Sequence, residues 1–226
     1  MVAVATVYGH SPGDVRHWPE AEEARQALAD YLHRLSLAPD ADRTAESLLN
    51  GYGMDFTGAD LSGLDLLGAE LSGAVLTRVL LVGADLYTVW LQSALLSEAD
   101  LSNADLRKVQ AQHCQARNSR LSGADIQRAD FSHSDLVGAD LSGARLESAS
   151  FSGADLRQAD LRGCTFDMTR LSRVRLADSD ARGARGVVRG PIDVGVDAPR
   201  LIDGAELQDW FASNGAPDVE VYRKAE

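Results

Sequence analysis

The 226-residue sequence predicts an all-β-dominated solenoid, and three observations carry that prediction. From Phe56 to Ala181, each position ending in 1 or 6 holds an inward-type side chain, nearly always Leu or Phe. Two residues before it stands a small one, most often Ala and otherwise mainly Val, Ser or Cys. The register runs through 26 consecutive pentads, residues 54 to 183, without an insertion. A unit this short cannot bury its apolar face alone, so the chain must stack on itself and its function must lie on an outer surface.

Three segments follow from this pattern. Residues 1–53 form an N-terminal segment in which Pro19, the early acids and the stripe Ala21, Ala24, Leu28, Leu32 and Leu35 predict an amphipathic helix over 19–39. Ala45, Leu48 and Leu49 suggest a second short helix ending at Asn50 and Gly51. Together these helices read as a cap over the exposed ladder edge of the first coil. Residues 54–183 are the repeat. Residues 184–226 change pattern: Ile192, Val194 and Val196 alternate as in a strand, 197–199 turn, and Leu201 and Ile202 return. Asp203 with Glu206 suggests a capping box that opens a helix through Leu207, Trp210 and Phe211 to Asn214 and Gly215. Val219, Val221 and Tyr222 read as a last strand, giving a small α+β cap or an interaction segment.

Composition bounds the function. The formal charge of −12 divides into −4 over 1–53, −5 over 54–183 and −3 over 184–226. Within the repeat, residues 54–105 carry −7 and residues 106–183 carry +2. Such a chain should repel nucleic acid and anionic lipid while attracting a basic protein groove. No stretch approaches about 18 uninterrupted apolar residues, so no membrane span is expected. The N-terminal MVAVATVYGHSPGD lacks a basic n-region and reads as mature chain, which points to a cytoplasmic protein. Lys108 and Lys224 are the only lysines against twenty arginines, an association with a GC-rich, bacterial source.

The best-preserved stretches, GADLSGLDLLGAELSG and FSGADLRQADLRG, resemble the pentapeptide-repeat family, whose signature is A(D/N)LXX. The resemblance spans all of 54–183. It implies a right-handed quadrilateral β-helix with four pentads per coil, hence about six and a half coils and, at roughly 4.8 Å between stacked strands, a rod of about 31 Å. Residues twenty apart should then stack. Phe131 should lie on Phe151 with Ala111 beneath, and His113 on His133. Cys114 and Cys164 should sit too far apart to form a disulfide. Ala111 and Ala116, the only small residues at interior central positions, mark the expected thin or irregular coil.

Catalytic chemistry is not expected. There is no GxSxG, HExxH, Walker-type or GxGxxG motif, and the glycines belong to the repeat. No cofactor is called for, and His113 with His133 lacks an evident third metal ligand. Asp precedes the central residue in 13 of 26 pentads, which suits a polar position able to bond nearby amides. Its stacked members, among them Asp85, Asp105 and Asp125, with Asp100 on another face, form either a solvated structural ladder or an acidic surface for a cation or basic partner. Val75, Leu80, Trp90 and Leu95 break the pattern by placing apolar side chains at this outward position, with Leu67, Val82 and Tyr87 nearby. Exposed contiguous apolar area implies a contact. The chain's own N-terminal segment, Trp210 and Phe211 folding back, a homodimer or another protein could each supply it. The resemblance also implies a concrete partner, because some family members imitate duplex DNA, bind DNA gyrase or topoisomerase IV and confer antibiotic resistance. The expected function is therefore a non-enzymatic interaction rod, most concretely such a DNA mimic; the alternatives are a scaffold for an unrelated protein partner or a metal-binding module.

Overall fold

The computed structural model describes residues 8–37 and 43–222. The reading of residues 1–7 as mature chain, the last two residues of the expected 19–39 helix, and Lys224 lie outside the described residues.

Isolated parallel bridges join each outward residue to the one twenty later, in four columns. One column runs Asp55, Val75, Leu95, Gln115, Asp135, Asp155, Arg175, and a second runs Asp60, Leu80, Asp100, Arg120, Asp140, Asp160, Asp180. The third is Asp65, Asp85, Asp105, Asp125, Arg145, Thr165, and the fourth Asn50, Glu70, Trp90, Gln110, Asp130, Ser150, Arg170. Between columns the central residue's carbonyl accepts from the amide three residues on, as Phe56 does from Ala59. The third residue of each such turn lies at positive φ, between 54° and 72°, the requirement of a type II turn. Glycine meets it at Gly58 or Gly143, but fifteen non-glycine residues also adopt it. Thr88, at φ 60°, is the β-branched one among them, and β-branched residues resist this region most.

Every central side chain from Phe56 to Ala181 is buried, as are the small residues two before, apart from Met54 and Ser179. Phe131 and Phe151 stack as expected, with ring centroids 5.6 Å apart and planes inclined by 11°. The coil of Ala111 and Ala116 is not irregular: the bridges from Trp90 to Gln110 to Asp130 and from Leu95 to Gln115 to Asp135 pass through it unbroken. Buried Ser119 and Ser134 accompany it, and their hydroxyls donate to the carbonyls of Ala116 and Ala111 at 2.8 and 2.7 Å. The backbone ladder therefore keeps its register even where central side chains shrink to Ala, because its hydrogen bonds do not depend on side-chain volume. Cys114 and Cys164 are buried free thiols.

The N-terminal segment lies along the first coil. Helix α1, Glu22–Leu37, buries Ala24, Leu28, Tyr31, Leu32 and Leu35. Pro19 precedes the helix rather than opening it, and its carbonyl accepts from the Arg25 guanidinium. Tyr31 Oη donates to the Asp65 carbonyl at 2.9 Å, and burial pushes its phenol up to about 12. Gly9, His17 and Asn50 pair with Leu64, Asp60 and Glu70, so three sides of the first coil have backbone partners. The short helix expected at 45–51 is replaced by a turn at Ala45–Ser47. Asn50 must be extended to bridge Glu70, and the Leu49 carbonyl accepts from the Glu70 amide, which leaves too little chain for a helix.

At the other end the ladder runs past residue 183. Strand β1, Thr165–Arg170, pairs in parallel with β2, Arg185–Arg189, which pairs in parallel with β5, Val219–Val221. The spacing between partners shrinks from Thr165↔Arg185 to Arg170↔Arg189 to Arg175↔Asp193, that is from twenty to nineteen to eighteen residues. Strands β3, Ile192–Asp193, and β4, Leu201–Ile202, form the expected antiparallel return. Helix α2, Gly204–Ser213, buries Leu207 and Phe211. The expected capping box does not form: Asp203 accepts from the adjacent Gly204 amide, while Glu206 accepts from Arg200 at 2.7 Å. The guanidinium recruits the carboxylate that a capping box would need.

Candidate functional site

The outward carboxylates are organised first by the backbone. All thirteen Asp residues that precede a central residue accept, through Oδ1, from the amide two residues on, at 2.8 to 3.3 Å. These are Asx turns, which supply an acceptor where the chain leaves one face for the next. Arginine adds a second layer. In Asp105–Arg107, Asp155–Arg157, Asp160–Arg162 and Asp180–Arg182 the guanidinium two residues on closes an ion pair at 2.5 to 2.7 Å. Hydrogen bonding to Arg182 holds the half-buried Asp180 carboxyl down at about 2. The sequence signal for this layer was the tripeptide Asp-Leu-Arg, or Asp-Ala-Arg at the last site, which a count of charges by halves passes over.

The expected partner-binding residues are distributed over all four columns. Val75 and Leu95 bridge each other, Leu80 bridges Asp100, Asp85, Asp105 and Asp125 form one run, and Trp90 occupies the fourth column. Three of the four carboxylates are neutralised locally: Asp100 by Arg120 at 3.8 Å, Asp105 by Arg107, and Asp125 by Arg145 at 3.1 Å. Asp85 has no ion pair among the described residues. Its carboxyl is raised by burial, with Asp65 and Asp105 adding to the shift against the Tyr87 amide.

The apolar departures divide by exposure. Val75 and Leu95 are half-buried, whereas Trp90, Leu80 and Val82 keep 49%, 39% and 36% of their area exposed. Trp210 and Phe211 do not fold back onto them; Phe211 is buried in the C-terminal segment, where it meets Trp210 edge-on at 5.1 Å. Leu48 of the N-terminal segment reaches Trp90's groove, which Gly68, Thr88, Lys108 and Gln110 complete, without covering the indole. Tyr87, at the preceding turn, carries two cations: Lys108 Nζ lies 5.0 Å and the Arg107 guanidinium 5.3 Å from its ring centroid. Sequence reading missed this aromatic–cation corner, although the twenty-residue offset already stacked Lys108 on Thr88. His113 and His133 stack with centroids 5.2 Å apart, and among the described residues no group of three or more His, Cys, Asp or Glu side chains is placed to hold a metal ion.

The sequence profile described as Pentapeptide repeats matches in eight copies across residues 55–89, 91–123, 124–163 and 155–185. The chain belongs to the pentapeptide-repeat family. Its family fold is the right-handed quadrilateral β-helix, whose four sides are the four columns above. Among solved pentapeptide-repeat structures, a thylakoid-lumen protein of Arabidopsis thaliana is 24% identical over 53% of this chain and 74% of its own, with a TM-score of 0.43. HetL of Nostoc sp. strain PCC 7120, described as involved in heterocyst differentiation regulation, is 24% identical over 72% and 89%, with a TM-score of 0.38. Full-length QnrB1, described as a plasmid-mediated fluoroquinolone resistance protein, is 22% identical over 77% and 92%, with a TM-score of 0.31. No curated protein matches the chain. Among the described residues of this pentapeptide-repeat protein, no helix is long and apolar enough to cross a membrane.

Proposed function

We propose that this pentapeptide-repeat protein is a non-enzymatic rod of about six and a half coils, closed at one end by its N-terminal segment and at the other by its small α+β segment, that binds another protein through its outer faces. The observation that carries this reading is Trp90, half exposed at a position the repeat reserves for polar residues, with Leu80 and Val82 also exposed. Large apolar side chains exposed on an otherwise polar surface mark contacts, and Trp90, on the side opposite Leu80, is the most exposed of the three. Binding needs no chemistry beyond a rigid, correctly spaced surface. Turnover of any substrate by the purified protein, abolished by one point substitution, would overturn the reading.

The finer reading names the partner as a type II topoisomerase, DNA gyrase or topoisomerase IV, engaged by DNA mimicry in the bacterial cytoplasm. It is favoured by the acid excess over 54–105, where Asp55, Asp60, Glu70, Asp85 and Glu98 stand outside any ion pair among the described residues. A basic DNA-binding groove would be attracted to that end. The test is a gyrase supercoiling assay with and without a quinolone. Dose-dependent inhibition, or relief of the drug's effect, is expected; no effect at micromolar protein removes the topoisomerase and leaves an unrelated protein or a second copy as the partner.

A further inference from the structure

The corner between the Asp85 and Trp90 columns runs against the protein's net charge. Its turn positions stack Tyr87 and Thr88 under Arg107 and Lys108, and these under Gln127 and Arg128. Lys108 Nζ donates to Tyr87 Oη, which ties the ammonium to the Tyr87 ring at this corner. Arg107 is occupied by Asp105, whereas Lys108 and Arg128 have no ion pair among the described residues. Two hollows meet at this place. One, of about 240 Å³, is lined by Tyr87, Arg107, Lys108, Gln127 and Arg128. The other, of about 390 Å³, lies against Trp90, Leu48 and Gly68 and is also bordered by Lys108. No carboxylate lines either hollow, in a chain whose formal charge is −12.

We propose that this corner docks an acidic peptide segment of a partner protein, one that places an apolar side chain against Trp90 and an adjacent carboxylate on Lys108 and Arg128. The assignment rests on the interaction-rod reading and adds the chemistry of what is bound. Charge complementarity selects the occupant. The Trp90 groove alone would accept any apolar side chain, but the two unpaired cations at its end favour a carboxylate and reject a basic neighbour. An exposed tryptophan at the same corner as an arginine, Trp90 with Arg128 here, is also a composition from which interface anchors are built. Lys108 and Arg128 stand one coil apart, about 4.8 Å along the axis, close enough for one carboxylate to meet both. Nucleic acid and anionic membranes, although acidic, would also meet the unpaired carboxylates of the first coils, whereas a short peptide need meet only the corner.

The test is fluorescence anisotropy with a labelled peptide carrying one Phe flanked by Glu, compared with its Gln-flanked and Lys-flanked analogues. The full-length protein is expected to bind the Glu peptide at least tenfold more tightly than either analogue, and added salt should weaken that binding. Lys108→Glu with Arg128→Glu should lose at least tenfold, and Trp90→Ala a comparable factor, with circular dichroism unchanged. Should the double variant fail to fold, Arg128→Glu alone and the salt titration of the unmodified protein carry the test. Equal affinity for the three peptides, insensitivity to charge reversal, binding that appears only on dimerisation, or no binding up to millimolar peptide would each overturn the proposal. Preference for the Lys peptide would overturn it too, while leaving the interaction rod and its acidic end standing. The supercoiling assay is scored separately, so the two readings fail independently.

Discussion

Phe131 and Phe151, twenty residues apart in sequence, lie face to face in the interior with ring centroids 5.6 Å apart. Each is fully buried, so truncation leaves a cavity that the ladder above and below cannot collapse to fill. Phe131→Ala is expected to cost about 3–5 kcal/mol, read as a shift in the urea unfolding midpoint. The double variant Phe131→Ala with Phe151→Ala should cost less than the sum of the two by about 0.5–1.5 kcal/mol, the worth of the ring pair itself. Strict additivity would show that the stack contributes only area.

Asp140 isolates the turn function of its repeat position. Its Oδ1 accepts from the Ser142 amide at 2.9 Å, and it forms no ion pair among the described residues. Asp140→Ala should therefore lose about 1 kcal/mol, the worth of one such hydrogen bond. Asp140→Asn keeps the acceptor and should retain most of that stability. If both variants lose equally, charge rather than the Asx turn accounts for the residue.

Asp85 and Asp180 should respond to pH with opposite signs. The Asp85 carboxyl is raised by burial, so its ionised form is a cost to the fold that is fully present above its folded pKa and disappears as pH falls toward the ordinary value of 3.8. Asp85→Asn, which can keep the acceptor for the Tyr87 amide, should thus be more stable than the unmodified protein at pH 7, with the advantage gone at pH 4. Asp180, held at about 2 by hydrogen bonding to Arg182, contributes stability above the ordinary carboxylate value and loses it as pH falls through about 2. Arg182→Gln should flatten that acid limb of the urea midpoint against pH.

Thr88 is a strained turn residue beside the Trp90 groove. A β-branched side chain at φ 60° carries a backbone cost that glycine lacks. Thr88→Gly is expected to gain about 0.5–1 kcal/mol after glycine's own entropy is counted, seen as a higher melting temperature. The strain would have a purpose only if peptide binding at the corner weakened in the same variant.

How much of this was legible in the sequence depended on whether a residue answered to the period or to a partner outside it. The stacks of Phe131 on Phe151 and of His113 on His133, and the columns of Val75, Leu80, Asp85 and Trp90, follow from counting by twenty, because the ladder fixes register regardless of side chain. The turn at Ala45–Ser47 did not, since local apolar spacing cannot show that Asn50 is needed extended by Glu70. Glu206 failed to cap its helix because Arg200, six residues upstream, competes for it. Strand β2 was missed because Arg185 to Arg189 lacks the Leu-centred pentad and offers Val188 alone as a buried side chain. At the candidate site, exposure of Trp90 was readable, but the neutralisation of Asp100, Asp105 and Asp125 required knowing which arginines reach them.

The thirteen Asx turns have a consequence for how this surface changes over time. Because each aspartate is engaged with its own backbone, the fold asks little of most residues at the two turn positions after the central side chain beyond tolerance of a positive φ at the second, with exceptions such as the buried Ser62 and Ser102 and the packed Gly68 and Gly123. Those sites form a lattice of independently editable letters at fixed pitch. Replacing Ser142 by arginine two residues after Asp140, for example, rewrites local charge while leaving the Ser142 amide bond to Asp140 in place. Relatives built on the same frame can therefore diverge in what they recognise by point substitution alone, and recognition in this architecture is a text printed on the corners.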